Sequence, residues 1–282
     1  MFTYNAAAVK AILKEIITAN VVPDVITWLD EERPLNTSFV LLPRKTGKAI
    51  VHISKEQTEQ LNNNIPCFSV ESWSVDRLGR AYLLLNLDPA NKDEYFRKIE
   101  NLFLAAEMSE LVALYSSLPL LACPEIWVKR CSEGIRSNIG SVLEAIMYQN
   151  PYPAQNLDQS AWNQLVLKAF FTDKEIGKII GIDSRANKDL AYILSDYAHE
   201  RWAAKREVNA NLWRLVGKFI DDKLFADIQR LFDDGNLLDR RAGALAISQS
   251  NYLPAKTLLT RYPELVTAIE NKNLSWDTLT GQ

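Results

Sequence analysis

The chain has 282 residues, of which 48% are hydrophobic and 24% are charged, proportions typical of a globular protein with a buried core. Its formal net charge of -3 excludes a broadly basic surface that binds nucleic acid or anionic membrane by charge alone. Ten glycines and eleven prolines are too few for a loop-rich or repetitive all-β chain. The composition therefore favours helices.

The cysteines and the N-terminus bear on the compartment. Cys67, Cys123 and Cys131 match neither the spacing of a disulfide framework nor that of a zinc site, which fits a reducing environment. The first residues lack the basic and apolar regions of a secretory signal. No apolar run approaches the roughly 20 residues of a membrane-spanning helix. We therefore expect a cytoplasmic protein without a metal or a cofactor.

The N-terminal third predicts short amphipathic helices, because apolar residues recur at spacings of three and four. The first helix covers 5–19, and a second begins at Pro23, a residue suited to the first helical turn. Asn36 is positioned to cap a third helix, which we expect to end near Pro43 because proline disrupts a helix interior. The less regular stretch 50–70 leaves room for one short hairpin.

The rest of the chain continues the helical pattern. The strongest loop signal is 150–153, where two prolines disfavour helical dihedral angles in the preceding residues. Asp158 is positioned to cap the helix that follows. The remaining predicted helices begin at Ser74, Asp88, Ser109 and Pro124, and then cover 187–206, 209–220, 225–231, 240–247 and 257–269.

Helix after helix, with short connections and no β-α-β alternation, predicts an all-α protein. The helices form either a multi-helix antiparallel array or a HEAT-like helical-hairpin solenoid, and the absence of an exact internal repeat leaves both arrangements open. We expect one continuous domain over 1–282, with the alternative of a boundary within 119–153.

The predicted helix over 187–206 carries the densest mixture of ionisable and aromatic side chains. On a helical wheel, Arg201 and Trp202 fall within the apolar arc, whereas Asp196 and His199 lie on the other side. A guanidinium inside an apolar arc requires a carboxylate from another helix or a bound anion. We therefore expect Arg201 either to lie at the edge of the core or to contact a ligand.

Asp196 and His199 are three residues apart, so they can meet on one helical surface and form an acid–base pair. No serine or cysteine in a recognisable nucleophile elbow accompanies them. The alternatives are a packing histidine, a general base and a ligand-binding residue.

The turn at 44–48 contains Gly-Lys but lacks the other residues of a Walker motif. The two remaining interpretations are a basic turn between helices and a contact with an acidic molecule.

Several segments together resemble the EboA family of helical proteins. They are PRKTGK at 43–48, WSVDR at 73–77, EGIRSN at 133–138, NPYPA at 150–154, AWNQLVLKA at 161–169 and the stretch 182–202. They occur in the family's order and cover most of the chain. The stretch before Asn36 and the tail after Gly235 resemble the family only in helical character.

This resemblance implies a component of a bacterial gene cluster for secondary metabolism, which assists the processing or export of a metabolite precursor. It also implies partners from the same cluster, among them a prenyltransferase-like membrane protein, and a small-molecule metabolite. The resemblance supplies no catalytic residues.

We expect the polar residues of these segments to converge on one groove. The candidate ligand-binding residues are Arg44, Lys48, Arg136, Asn138, Asn163, Lys168, Asp183, Arg185, Arg201 and Trp202, and the catalytic candidates are Asp196 and His199.

Three functions remain open. The first is a non-catalytic helical binding or scaffold protein. The second is an enzyme that acts on a small anionic metabolite with the Asp196–His199 pair as general base. The third is a solenoid that binds only other proteins.

Overall fold

The computed structural model describes residues 1–279 and confirms the all-α prediction. Within residues 1–279, seventeen α-helices and five short 3-10 helices make up the regular structure. Within the described residues, β-pairing is limited to two isolated bridges, Ile50 with Ser74 and Tyr148 with Ile179. None of the helices in this range combines the length and the apolar character that a membrane span requires.

The chain divides into two compact units. Unit 1 contains Met1–Trp162 and Lys178–Ile180, and unit 2 contains Asn163–Gly177 and the residues from Gly181 onward. The main division between the two units falls after Trp162, and both the single domain over 1–282 and the alternative boundary within 119–153 stay predictions.

Unit 1 holds the first ten helices. They are α1 (Ala6–Asn20), α2 (Pro23–Asp30), α3 (Leu35–Thr46), α4 (Lys55–Asn64), α5 (Val75–Leu84), α6 (Lys92–Ala105), α7 (Met108–Ser116), α8 (Val128–Ile135), α9 (Gly140–Met147) and α10 (Tyr152–Asn156). Short 3-10 helices cover Leu118–Leu120 and Pro124–Trp127. Helix α11 (Gln159–Phe171) begins in unit 1 and continues into unit 2.

Unit 2 holds the remaining six α-helices. They are α12 (Lys188–Ala203), α13 (Asp222–Asp233), α14 (Leu237–Ser248), α15 (Leu253–Leu259), α16 (Pro263–Glu270) and α17 (Trp276–Leu279). Three further 3-10 helices cover Ile176–Lys178, Ala210–Arg214 and Gly217–Phe219. The HEAT-like solenoid stays a prediction.

Two helix starts lie where the sequence predicts them, at Asn5 and Asp158, whereas Asn36 lies inside α3 and does not cap it, because that helix begins at Leu35 after Pro34. The side chain of Asn5 accepts a hydrogen bond from the Ala8 amide at 3.1 Å, and Asp158 accepts one from Ala161 at 2.8 Å. These bonds satisfy amide groups that the first helical turn leaves without an internal partner. Local side-chain chemistry therefore determines these boundaries.

Other predictions in the first unit are wrong. Where the stretch 50–70 left room for a short hairpin, the chain forms α4, which has a capping box between Ser54 and Gln57. Helix α6 begins at Lys92 instead of Asp88, because Asn91 caps it. Part of the loop predicted at 150–153 is helical, since Pro151 precedes α10 as its N-cap residue and Pro153 lies in its first turn, where no amide donor is required.

Two predicted helices are also interrupted. The helix expected over 209–220 is a pair of 3-10 turns, packed so tightly that a Cβ on Gly217 would lie 2.6 Å from the Ala246 carbonyl oxygen. The helix expected over 257–269 is divided into α15 and α16, with Pro263 at the start of the second. In the first case tertiary packing overrides local propensity.

Helix α5 lies at the centre of unit 1 and packs against α1, α3 and α7. Its Arg80 side chain is buried, with 2% of its surface exposed. The guanidinium donates to Asp76 Oδ2 at 2.7 Å, and its Nη2 atom lies 3.9 Å from Glu110 Oε1. A buried charge of this kind is tolerated only when it is paired and hydrogen-bonded.

The third partner of Arg80 explains why α3 does not end at Pro43. Helix α3 starts after Pro34 and runs through Pro43 to Thr46. Proline has no amide hydrogen, so the carbonyl oxygen of Phe39, four residues earlier, receives no helical bond from it. Arg80 Nε donates to this oxygen at 3.1 Å. A residue from another helix thus supplies the hydrogen bond that proline removes.

Replacing Arg80 tests this arrangement. We expect Arg80→Met to lower the free energy of unfolding by about 3–5 kcal/mol, because it leaves Asp76 and Glu110 buried without their cation. Urea denaturation measures the change. The matched control Arg97→Met, at an exposed position of α6, should shift it by less than about 0.5 kcal/mol. Equal effects of the two variants would contradict the assigned role of Arg80.

Candidate functional site

Unit 1 contains a cleft with a volume of about 1140 Å³. Helix α1 contributes to both the core and the cleft. One side of the helix buries residues such as Val9 and Leu13 in the core, and a second stripe of residues lines the cleft. This second stripe consists of Ala7, Lys10, Ala11 and Lys14, at the spacing of neighbours on one helical surface. The other walls are Leu29, Asp30, Glu31, Glu32, Arg33, Pro34, Leu35, Ser38, Tyr82, Leu83, Asn86, Leu87 and Lys98.

A polar network occupies one wall of this cleft. Lys14 Nζ donates to both carboxylate oxygens of Asp30, at 2.9 and 2.8 Å, and the Tyr82 hydroxyl donates to Asp30 Oδ1 at 3.4 Å. Burial raises the pKa of Tyr82, so the phenol stays protonated at neutral pH. The network presents an ammonium, a carboxylate and a neutral hydroxyl side by side.

A second ion pair lies between α2 and α3. The Arg33 guanidinium stacks on the Trp28 ring, 4.2 Å from its centroid, and donates to the Trp28 carbonyl oxygen at 2.6 Å. It also pairs with Glu31. Stacking on an aromatic face and a planar set of donors hold a guanidinium in a fixed orientation. Arg33 is therefore a rigid part of the wall.

In unit 2, His199 has a different partner from the one that the sequence predicts. His199 Nε2 lies 2.5 Å from Asp227 Oδ1, and Ser195 Oγ donates to the other oxygen, Oδ2, at 2.5 Å. Asp196 instead lies 3.6 Å from the Lys223 ammonium. The predicted Asp196–His199 pair is wrong, because a residue from α13 reaches the imidazole.

The Ser195–Asp227–His199 network joins α12 to α13. The carboxylate stands between the hydroxyl and the imidazole, so the histidine has no contact with the hydroxyl that would activate it as a nucleophile. Ser195 is fully buried, which keeps it away from any substrate. The arrangement supports a structural role for Asp227.

Arg201 has a different partner from the one that the sequence predicts, whereas the ligand-binding role of Trp202 stays a prediction. Arg201 is half-buried, but its Nε atom donates to the backbone carbonyl of Glu207 at 2.8 Å and so needs no buried carboxylate. The Trp202 ring stacks on Trp213 with ring centroids 5.7 Å apart, and the Arg230 guanidinium lies 4.3 Å from the Trp202 centroid. Trp202 borders a cavity of about 400 Å³.

The other sequence-predicted ligand residues are distributed over both units. Arg44, Lys48, Arg136 and Asn138 are exposed residues of unit 1, and none of them lines the cleft. In unit 2, buried Asn163 exchanges hydrogen bonds with Asn187, the residue that caps α12. Asp183 is paired with Arg214 at 2.5 Å. Lys168 and Arg185 are half-buried residues of unit 2. The single polar groove stays a prediction.

Sequence reasoning missed every residue of the cleft. One available signal was the pair Lys10 and Lys14, which repeats at four residues beside the apolar stripe of α1. The second was the charged run at 30–33 immediately before Pro34. Neither signal says that α5 contributes Tyr82, because that contact depends on the tertiary fold.

The fold and the cleft define an all-α protein that holds a large, mixed-charge cavity within one helical unit. The comparison with known families then gives the particular family. Residues 9–217 match the family model of the metabolite traffic protein EboA, and the chain therefore belongs to the EboA family. No curated protein and no solved structure matches the chain.

The two carboxylates of α12 and α13 give a direct test of the corrected histidine partner. We expect Asp227→Ala to lower the free energy of unfolding by about 1–3 kcal/mol, because the buried Ser195 hydroxyl loses its acceptor. Asp196→Ala serves as the control and should cost under about 1 kcal/mol, since its ion pair is exposed. Urea denaturation distinguishes them, and a larger loss for Asp196→Ala would contradict the assignment.

Proposed function

We propose that this EboA-family protein is a non-catalytic carrier that binds a small metabolite reversibly in the cleft of unit 1. Ligand sites in proteins are concave, with volumes of roughly 300–1,000 Å³, and combine apolar walls with a few placed polar groups. The cleft has a comparable volume of about 1140 Å³. Leu29, Leu35 and Leu83 lie in its walls beside the Lys14–Asp30–Tyr82 network. This combination is the observation that carries the proposal.

The position of the cleft in the chain supports the same choice. A role shared by the family must depend on residues that the family model covers. All residues that line the cleft, except Ala7, lie within the matched range 9–217. The cavity beside Trp202 is built in large part by 230–239, beyond the end of the match. The cleft is therefore the better candidate for the family's role.

The polar groups of the cleft favour binding over acid–base catalysis. A general base or acid works best when its pKa lies near the operating pH. Burial moves the pKa of Tyr82 upward, away from neutrality, and the Asp30 hydrogen bond raises the pKa of Lys14. Both groups keep their protons at neutral pH and act as hydrogen-bond donors. The enzyme alternative also loses its Asp196–His199 pair.

The biological setting follows from the family resemblance. We propose that the carrier assists the processing or export of a metabolite precursor within a gene cluster for secondary metabolism. Its partners are then proteins of the same cluster, including a prenyltransferase-like membrane protein. A carrier of this kind loads a metabolite from one enzyme and delivers it to another without changing it.

Filling the cleft tests the proposal. We expect a metabolite to copurify with the wild-type chain from a host that contains the gene cluster, and Ala11→Trp to reduce its amount at least about tenfold, the effect of 1.4 kcal/mol in binding. Mass spectrometry of small molecules released by denaturation measures the amount per mole of protein.

The matched control is Ala19→Trp, an exposed position on the same helix and outside the cleft, which should retain the wild-type amount. Circular dichroism checks that both variants keep their helical content. The proposal fails if no metabolite copurifies with the wild-type chain, or if Ala11→Trp carries as much as the wild type.

A further inference from the structure

We infer that the ligand of the cleft is a zwitterion with an apolar body, a chemical class to which α-amino acids belong. This inference rests on the proposed binding function and adds the charge of the ligand to it. It follows from the way in which the charged groups of the cleft are paired.

Most charges in the cleft walls already have partners within the protein. Lys14 pairs with Asp30 at 2.8 Å, Arg33 pairs with Glu31, and Lys98 pairs with Glu94 at 2.8 Å. A group in an ion pair offers less to a charged ligand, because the ligand must compete with the existing partner. These pairs therefore shape the wall without favouring a cationic or an anionic ligand.

Two charged groups of the lining are left over. Across the described part of the chain, the half-buried residue Lys10 has no carboxylate partner, and its ammonium has a cation–π contact with the Tyr82 ring, 5.9 Å from the ring centroid. Glu32 is exposed and, within residues 1–279, has no cationic partner. The cleft thus holds one unpaired cation and one unpaired anion.

The unpaired charges of Lys10 and Glu32 indicate the charge of a matching ligand. A ligand with only an anionic group can pair with Lys10 but leaves the like charge of Glu32 unpaired in the same lining. A ligand with only a cationic group can pair with Glu32 but leaves the like charge of Lys10 unpaired. A zwitterion places an opposite charge near each group, and electrostatic complementarity of this kind gives specificity. An exposed glutamate alone would be an ordinary solvated residue.

The remaining wall indicates the body of the ligand. Leu29, Leu35, Leu83 and Leu87 line the cleft, and contact with such side chains stabilises a ligand through the burial of apolar surface. The Tyr82 oxygen, whose hydrogen is donated to Asp30, can still accept a hydrogen bond, and the Asn86 amide also lines the cleft. A ligand with an apolar body, one ammonium and one carboxylate therefore matches the leucines, Glu32 and Lys10 of the lining.

A set of three ligands with the same phenyl body separates the charges. L-phenylalanine carries both groups, 2-phenylethylamine lacks the carboxylate, and 3-phenylpropionate lacks the ammonium. Isothermal titration calorimetry at neutral pH and low salt measures Kd for each with the full chain. We expect L-phenylalanine to bind at least about tenfold more tightly than either analogue.

Two variants assign each charge to its residue. Lys10→Met should weaken L-phenylalanine until it binds like 2-phenylethylamine, since the carboxylate loses its cation. Glu32→Gln should weaken it until it binds like 3-phenylpropionate. The controls Lys55→Met and Glu59→Gln, exposed residues of α4 outside the lining, should leave all three Kd values unchanged.

The outcomes separate this inference from the proposed function. Equal Kd values for the three ligands, or tighter binding of a singly charged analogue, would overturn the zwitterion class. If Ala11→Trp abolished such binding, the cleft would still be a metabolite site. Failure to detect binding of any of the three ligands would also overturn the inference, whereas the copurification experiment alone decides whether the cleft carries a metabolite.

Discussion

Unit 1 depends on the hydrogen bonds of one buried guanidinium. Arg80 joins its own helix to α3 through the Phe39 carbonyl and binds the carboxylate of Asp76, with Glu110 of α7 at 3.9 Å. The bond to α3 exists because Pro43 leaves that carbonyl without its helical donor. Pro43 and Arg80, which lies 37 residues later in the chain, are therefore complementary. Pro43 leaves a carbonyl oxygen that needs a donor, and the buried guanidinium of Arg80 needs an acceptor.

The cleft is a consequence of the same contact. Ser38 lies beside Phe39 on α3, and Tyr82 lies two residues after Arg80 on α5; both line the cleft. Fixing α3 against α5 therefore fixes the separation of two cleft walls before any ligand arrives. Binding to a preorganised site avoids the ordering cost that a flexible site incurs, which suits the carrier role that we propose.

The sequence was most informative about features that depend on neighbouring residues, although the predicted helix start at Asp88 shows that even these are not always placed correctly. Helix type and caps such as Asn5 and Asp158 follow from residues within one turn, and the family segments identify the chain without any coordinates. The sequence failed where residues distant along the chain meet. The partner of His199 is 28 residues away in α13, and the cleft combines α1 with residues as distant as Lys98, so no short motif can encode either.

The most direct test of the account is a crystal structure of the full chain purified with its natural metabolite from a host that contains the gene cluster. We predict electron density for a small molecule between α1, α3 and α5, in contact with Lys10 and Tyr82. Density for the metabolite only beside Trp202 and Arg230, with the cleft of unit 1 empty, would contradict the central claim.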